Sequence, residues 1–226
     1  MRMEREHPVG HLRGCSDWLS ISKVEAGDCS TGGRVRPIIR MPDPLLRRAA
    51  RGCAPGDPGV AEAARDLVRT MALHPACRAL SAPQIGRLLR IVAVDLSPLA
   101  RLTGPQRPEG PEGAPAPVVL VNPQLVVASG LRTEPERCLS IPNVVATVRR
   151  ADDILVIGFS PEGGTATLEL QGTDAALLLH ELDHLDGVLM LDRLESLSDL
   201  SPLAAHQPPG EPPRLTPYDP FGHPSA

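Results

Sequence analysis

The 226-residue chain predicts an α+β fold, with short antiparallel sheets packed around a central metal-binding helix. Three observations predict it. Short β-rich runs crowd the middle of the chain and are punctuated by Gly/Pro turns. A strongly apolar helical stretch follows the last of them, the order expected of a helix packed on sheet. That same stretch carries His180 and His184, four residues apart and therefore on one helix face.

Composition sets the outer limits. The hydrophobic fraction is 42% but aromatics are 2%, so the core is built from Leu, Val, Ile and Ala. One Trp, one Tyr and two Phe cannot assemble a base-stacking platform, and a net charge of -4 offers no field for phosphate, so no direct nucleic-acid binding is expected. No run reaches the ~18 apolar residues of a membrane span, and Met1 to Gly14 has no apolar signal segment. Five Cys without a CxxC pair argue against a disulfide framework and fit a reducing cytoplasm.

Taken in order, residues 1–34 lack periodicity and read as a loosely ordered extension. Residues 35–199 form the folding domain. Residues 200–226 hold Pro208, Pro209, Pro212, Pro213, Pro217 and Pro220 and read as a flexible tail. Within the domain, Val60–Leu73 has its apolar residues at helical spacing behind a start at Asp57 or Gly59. Arg90–Asp95 is a compact strand run, and Leu99–Pro117, rich in Pro and Gly, is a long loop. Val118–Val121 and Leu125–Val127 read as strands on either side of Asn122-Pro123. Val144–Val148, Ile154–Phe159 and Thr165–Leu170 read as three more, the last two joined through the turn Ser160–Gly164. Gly172-Thr173 then caps a helix from Asp174 to about Asp186, stopped by Gly187.

The chemistry concentrates in three segments. In His180-Glu181-Leu182-Asp183-His184 both imidazoles can reach one ion, and Glu181 beside them can meet a metal-bound water as general base or proton shuttle. Such a pattern also arises by chance on exposed helices, but Ala175–Leu179 is apolar, which buries this one. Two His leave the ion a ligand short. Downstream lie Asp186, Asp192 and Glu195 without a second helical motif, while upstream lies Glu136-Arg-Cys-Leu-Ser140. Alone, Cys138 is as readily a structural thiol; beside the His pair its thiolate completes a three-ligand set with a position open for water. In Leu80-Ser-Ala-Pro-Gln-Ile-Gly86, Gln84 on a proline-defined turn can aim an amide donor at a developing oxyanion.

These segments, in this order, resemble the peptide deformylase family, whose motifs run G-Φ-G-Φ-A-A-x-Q, E-G-C-Φ-S and H-E-x-D-H, where Φ is apolar. Pro37–Leu46 resembles the family's opening and Leu185–Leu194 its close, so the likeness covers about residues 36–198. It implies a deformylase-like catalytic domain over 35–199. Cys138, His180 and His184 would bind one divalent ion, Fe(II) first, with Ni, Co or Zn as substitutes. Glu181 would shuttle the proton, and the Gln84 amide and Leu139 backbone N–H would stabilise the oxyanion. The implied reaction frees formate from the formyl-methionyl end of a nascent peptide at the ribosome, in the cytoplasm. The sequence departs from the family pattern at several places: Cys77 and Ala79 replace two substrate-facing glycines with Arg78 between them, Ser81 replaces an Ala, Arg137 replaces another such Gly, Leu179 stands where Gln is usual, and Val145 falls where many members place an Arg. Ala79, Arg78 and Arg137 are therefore the candidate substrate-binding residues. A specialised relative acting on another small N-formyl or N-acyl compound, and a weakly active one that only binds such ligands, are the alternatives.

Overall fold

A computed structural model describes residues 32–74, 76–96 and 116–203. The extension before residue 32, most of the Pro-rich loop and the tail after 203 lie outside the described residues. Two helices and eight strands organise the rest.

Helix α1 (Pro58–Ala72) starts where Asp57 accepts a hydrogen bond from the Gly59 N–H at 2.7 Å, with Pro58 supplying a pre-set φ in the first turn. Val60, Ala63, Leu67 and Met71 form its buried stripe. Strands β1 (Ala79–Ser81), β2 (Ile91–Val94), β3 (Val118–Ser129), β6 (Asp153–Phe159) and β7 (Thr165–Gln171) make an antiparallel sheet in the order β1-β2-β3-β6-β7. Strands β4 (Arg132–Cys138), β5 (Ile141–Arg150) and β8 (Leu200–Pro202) make a second sheet in the order β4-β5-β8.

Helix α2 (Gly172–Leu185) runs between them. Its Ala175, Leu178, Leu182 and Leu185 pack on the face of the larger sheet that carries Val92, Val94, Val156 and Leu168. The alternate residues Ile91 and Ala93 face α1 on the other side. Strand β2 is thus covered on both faces, which is why it reads as an unbroken apolar run. The chain after α2, through Leu189 and Met190, joins the smaller sheet in a third apolar cluster with Leu46, Ile141, Ala146 and Val148. The architecture is the predicted α+β arrangement around one central helix.

Four local readings change. The two strands expected around Asn122-Pro123 are one strand, β3, whose pairing with β6 shifts register there. Asn122 adopts φ +50, and Gly158 opposite leaves room, since a Cβ on it would lie 3.1 Å from the Val121 carbonyl oxygen. Strand β4 was not foreseen, because Arg132, Glu134, Pro135 and Glu136 hide its alternation. Residues 200–202 are not tail, since they pair with Val144–Ala146 of β5. The N-cap of α2 is Gln171 rather than the Gly172-Thr173 pair; the Thr173 hydroxyl instead donates to Glu134 Oε1 at 2.6 Å. Gly187 ends this helix as expected, at φ +73. No helix among the described residues is long and apolar enough to cross a membrane.

Candidate metal centre

Three elements meet beside the C-terminal half of α2. His180 and His184 sit one turn apart on its face, with ring centroids 4.9 Å apart and planes inclined by 78°. Cys138 ends β4 and pairs with Ile141 across the two-residue turn Leu139-Ser140, so a tight hairpin delivers the thiol. One ligand atom each from Cys138, His180 and His184 lies within 4.8 Å of the others, and all three residues are buried. The Cys138 Sγ is 3.2 Å from His184 Nε2. That spacing suits three donors converging on one small cation.

The donors are also in the right chemical state. His180 Nδ1 donates to Glu136 Oε2 at 2.7 Å, which fixes the tautomer and leaves Nε2 as the ligating atom. Burial alone would raise the Cys138 thiol, but the imidazoles of His184 and His180 outweigh it and hold the thiol well below its ordinary range. Burial likewise disfavours a cationic His180, while its bonds to Cys138 and Glu136 draw its pKa well above the usual value. A thiol held toward its anionic form and an imidazole whose Nε2 is left to ligate are the donors a divalent ion takes, so the residues fit a bound metal.

Glu136 is held in turn. Arg150 donates to both of its carboxylate oxygens, at 2.7 and 3.0 Å, and through its third nitrogen to Asp183 Oδ2 at 2.6 Å. Arg193 closes the chain on Asp183 at 2.6 and 3.0 Å. Burial would raise the Glu136 carboxyl, yet hydrogen bonds from His180 and Arg150 bring it below the ordinary carboxylate value. Sequence reasoning missed Glu136 and Arg150 as parts of the site. The available signal was a Glu two residues before the ligand Cys and a buried-side Arg at the end of the neighbouring strand.

Glu181 lies on the same helix between the ligands. It is 3% exposed, its Oε2 has no hydrogen-bond partner, and burial pushes its carboxyl above the usual range. A buried carboxylate oxygen with no partner is costly unless something else binds there. Gln84 is fixed by its other end. Its Oε1 accepts from the Ser81 N–H and hydroxyl, both at 2.9 Å, and its Nε2 faces Cys138 Sγ at 3.4 Å and Ser140 Oγ at 3.3 Å. Leu139, half-buried, is the residue directly after the thiol in the hairpin turn.

The expected metal and proton-transfer residues are therefore brought together, with Gln84 and Leu139 beside them. The candidate substrate contacts scatter more widely. Ala79 is buried in β1, and Arg78 donates to Asp174 Oδ1 at 2.7 Å and to the Asp95 carbonyl at 3.0 Å. Arg137 is exposed. Cys77 donates to the Ala79 carbonyl at 3.0 Å, and burial first, then the nearby Glu181, pushes its thiol up to about 12.

Comparison with known proteins gives a consistent result. The family described as polypeptide deformylase matches residues 35–199. A peptide deformylase of Dictyoglomus thermophilum is 35% identical over 161 residues, covering 70% of this chain and 92% of its own. One from Brucella suis is 36% identical over 165 residues, covering 72% and 86%. Among solved structures, a peptide deformylase from Legionella pneumophila superposes with TM-score 0.62 at 30% identity, covering 74% of this chain and 89% of that one. That of Thermotoga maritima gives 0.61 at 27% identity, covering 72% and 99%.

Proposed function

The chain belongs to the peptide deformylase family, hydrolases that remove the N-formyl group of nascent peptides, and on that premise we propose how its own residues divide the work. Cys138, His180 and His184 hold one divalent ion. Fe(II) is the ion the family likeness favours, and the same N/S donor set accepts Ni, Co or Zn. When bound, the ion supplies Lewis acidity, polarising the formyl carbonyl and easing deprotonation of water.

Glu181 takes a proton from the attacking water and returns it to the departing amine, so the C–N bond breaks to give formate and a free N-terminus. The unpartnered, buried Glu181 Oε2 beside the three ligands is the observation that carries this reading. Burial raises the Glu181 carboxyl above the usual carboxylate range, which strengthens it as a proton acceptor. The Gln84 Nε2–H and the Leu139 N–H donate to the oxyanion formed as water adds. Ser81 keeps the donor end of Gln84 turned toward Cys138. Ala79, Arg78 and Arg137 border the approach of the substrate. The substrate is the formylated end of a nascent chain, so the working place is the cytoplasm, close to the ribosome.

The test is formate release from formyl-Met-Ala-Ser by anaerobically prepared, metal-quantified protein. Glu181→Ala should lower kcat by roughly 10²- to 10⁴-fold while the metal content is unchanged. Turnover that survives this substitution would remove Glu181 from the role.

A further inference from the structure

Strand β3 outruns its neighbour on one edge. Strand β2 pairs with Val118–Val121 only, and the last bond across is the Asn122 N–H to the Arg90 carbonyl, at 2.7 Å. Before Ile91 the chain turns aside to Arg51, whose carbonyl takes the Arg90 N–H at 2.9 Å. Strand β3 continues to Ser129, held by β6 along its other edge. At Ser129 the gap closes, because the carbonyl there accepts the Asp152 N–H at 3.0 Å. Between these two bonds lie residues 123–128, roughly 20 Å of strand edge with no strand beside it among the described residues. Such an edge offers its outward N–H and C=O groups to an extended chain.

The gap opens on a cavity of about 390 Å³. Its floor is Leu179, Leu182, Asp183 and Asp186, which share one flank of α2, and Leu125 and Ala128 of β3 form a wall. Leu125, Val126 and Val127 are 44%, 52% and 48% exposed, an apolar run left in water along the open edge. The charges lining the cavity are Arg90, Arg149, Arg150 and Arg193 against Asp183 and Asp186. Their remaining partners, Glu136 and Glu195, lie outside the lining. Arg150 is fully committed to Glu136 and Asp183. The others are not. Among the described residues Arg90 and Arg149 each use one guanidinium nitrogen, on Asp186 and Glu195, and Arg193 leaves its Nη1 unused. The Asp186 and Glu195 side chains are 57% and 63% exposed, and exposed pairs of this kind hold weakly. Arg90 stands at the Asn122 end of the gap, and Arg149, three residues before Asp152, at the Ser129 end.

We propose that this cleft docks an extended, acidic segment of a partner protein, which adds to the open edge of β3 and carries carboxylates to Arg90 and Arg149. Side chains on one face of a strand recur at every second residue, so the segment reads acidic-x-apolar-x-acidic, with ~13 Å between the outer two. The middle side chain rests on Leu179 and Leu182. A small anion would meet the arginines but leave the strand edge and the leucines uncovered; edge, apolar floor and charge together select a peptide. The cleft lies on a different flank of α2 from the metal ligands, so the proposal stands apart from the deformylase reading.

The experiment follows fluorescence anisotropy of labelled Thr-Glu-Thr-Val-Thr-Glu-Thr, and of its counterpart with Lys for Glu, on the full chain at low salt. The Glu peptide is expected to bind about tenfold tighter or more, and Arg90→Glu with Arg149→Glu should reverse the order. Arg149→Glu alone, at an exposed position, should narrow the preference should the double variant fold poorly. N-methylation of alternate peptide amides, tried in both registers, should weaken the Glu peptide by about tenfold in one of them. Hydrogen exchange of residues 124–128 should slow with the unmethylated peptide. Equal binding of the Glu and Lys peptides, or a Kd above about 1 mM for both, would overturn the proposal. Indifference to N-methylation in both registers would leave a bare anion site and overturn strand addition. Self-association of the chain that protects residues 124–128, with no peptide bound, would give the edge to a second copy and overturn it as well.

Discussion

Replacing Arg150 by leucine removes the one cation that links Glu136 to Asp183. The Arg150 side chain is 5% exposed, and those of its two partners are 7% and 11% exposed, so water cannot take its place. Breaking a buried pair by deleting one member costs about 3–5 kcal/mol. Here Asp183 keeps two hydrogen bonds from Arg193, and Glu136 keeps His180. The expected loss is therefore at the lower end, about 3 kcal/mol. The consequence at the metal is separate. Without Arg150, nothing fixes the Glu136 carboxylate in the plane that orients His180, and support of this kind is worth roughly 10- to 100-fold in metal affinity. Urea unfolding followed by far-UV circular dichroism reads the first quantity, and metal transfer to a chromogenic chelator reads the second. A stability change below about 1 kcal/mol, with an unaltered rate of metal transfer, would refute the argument that this chain of charges holds the ligand.

Glu136→Gln keeps an acceptor for the His180 N–H but loses the charge, so metal affinity should fall by about tenfold with the fold intact; equal affinity by competition titration would contradict this. Gly187→Ala forces a side chain into φ +73, and its Cβ would sit 2.6 Å from the Arg47 carbonyl oxygen. It should cost about 2 kcal/mol or more, read as a lowered urea midpoint. Cys77, with its thiol pushed up to about 12, is ionised in only about one molecule in 10⁴ at pH 8. Iodoacetamide should leave it unlabelled in the native protein and label it in urea, as mass spectrometry of the peptide containing it would show.

Much of this arrangement is legible in the residues. The apolar stripe of α1, the β6–β7 hairpin around Ser160–Gly164 and the Cys138–His180–His184 cluster that could hold a metal all follow from local periodicity, turn chemistry and donor type. What escapes is whatever depends on a partner far along the chain. Strand β4 looks too charged to be a strand until Arg150, on the strand beside it, neutralises Glu136. Strand β3 looks broken at Asn122-Pro123 until Gly158, 35 residues on, makes room for the bulge. Thr173 looks like a helix cap until β4 places Glu134 beside it. In each case the local preference is overruled by burial that a single segment cannot announce.

The position of the thiol has a further consequence. Cys138 belongs to the smaller sheet, while His180 and His184 belong to the helix packed on the larger one. A captured ion therefore staples the two halves together and closes a loop holding β5, β6 and β7. Unlike a covalent cross-link, which restricts the unfolded chain, the ion binds the native state alone and stabilises it by mass action. Losing the ion would then loosen the molecule as well as silence it, and the resistance of the protein to heat and proteases should track its metal content.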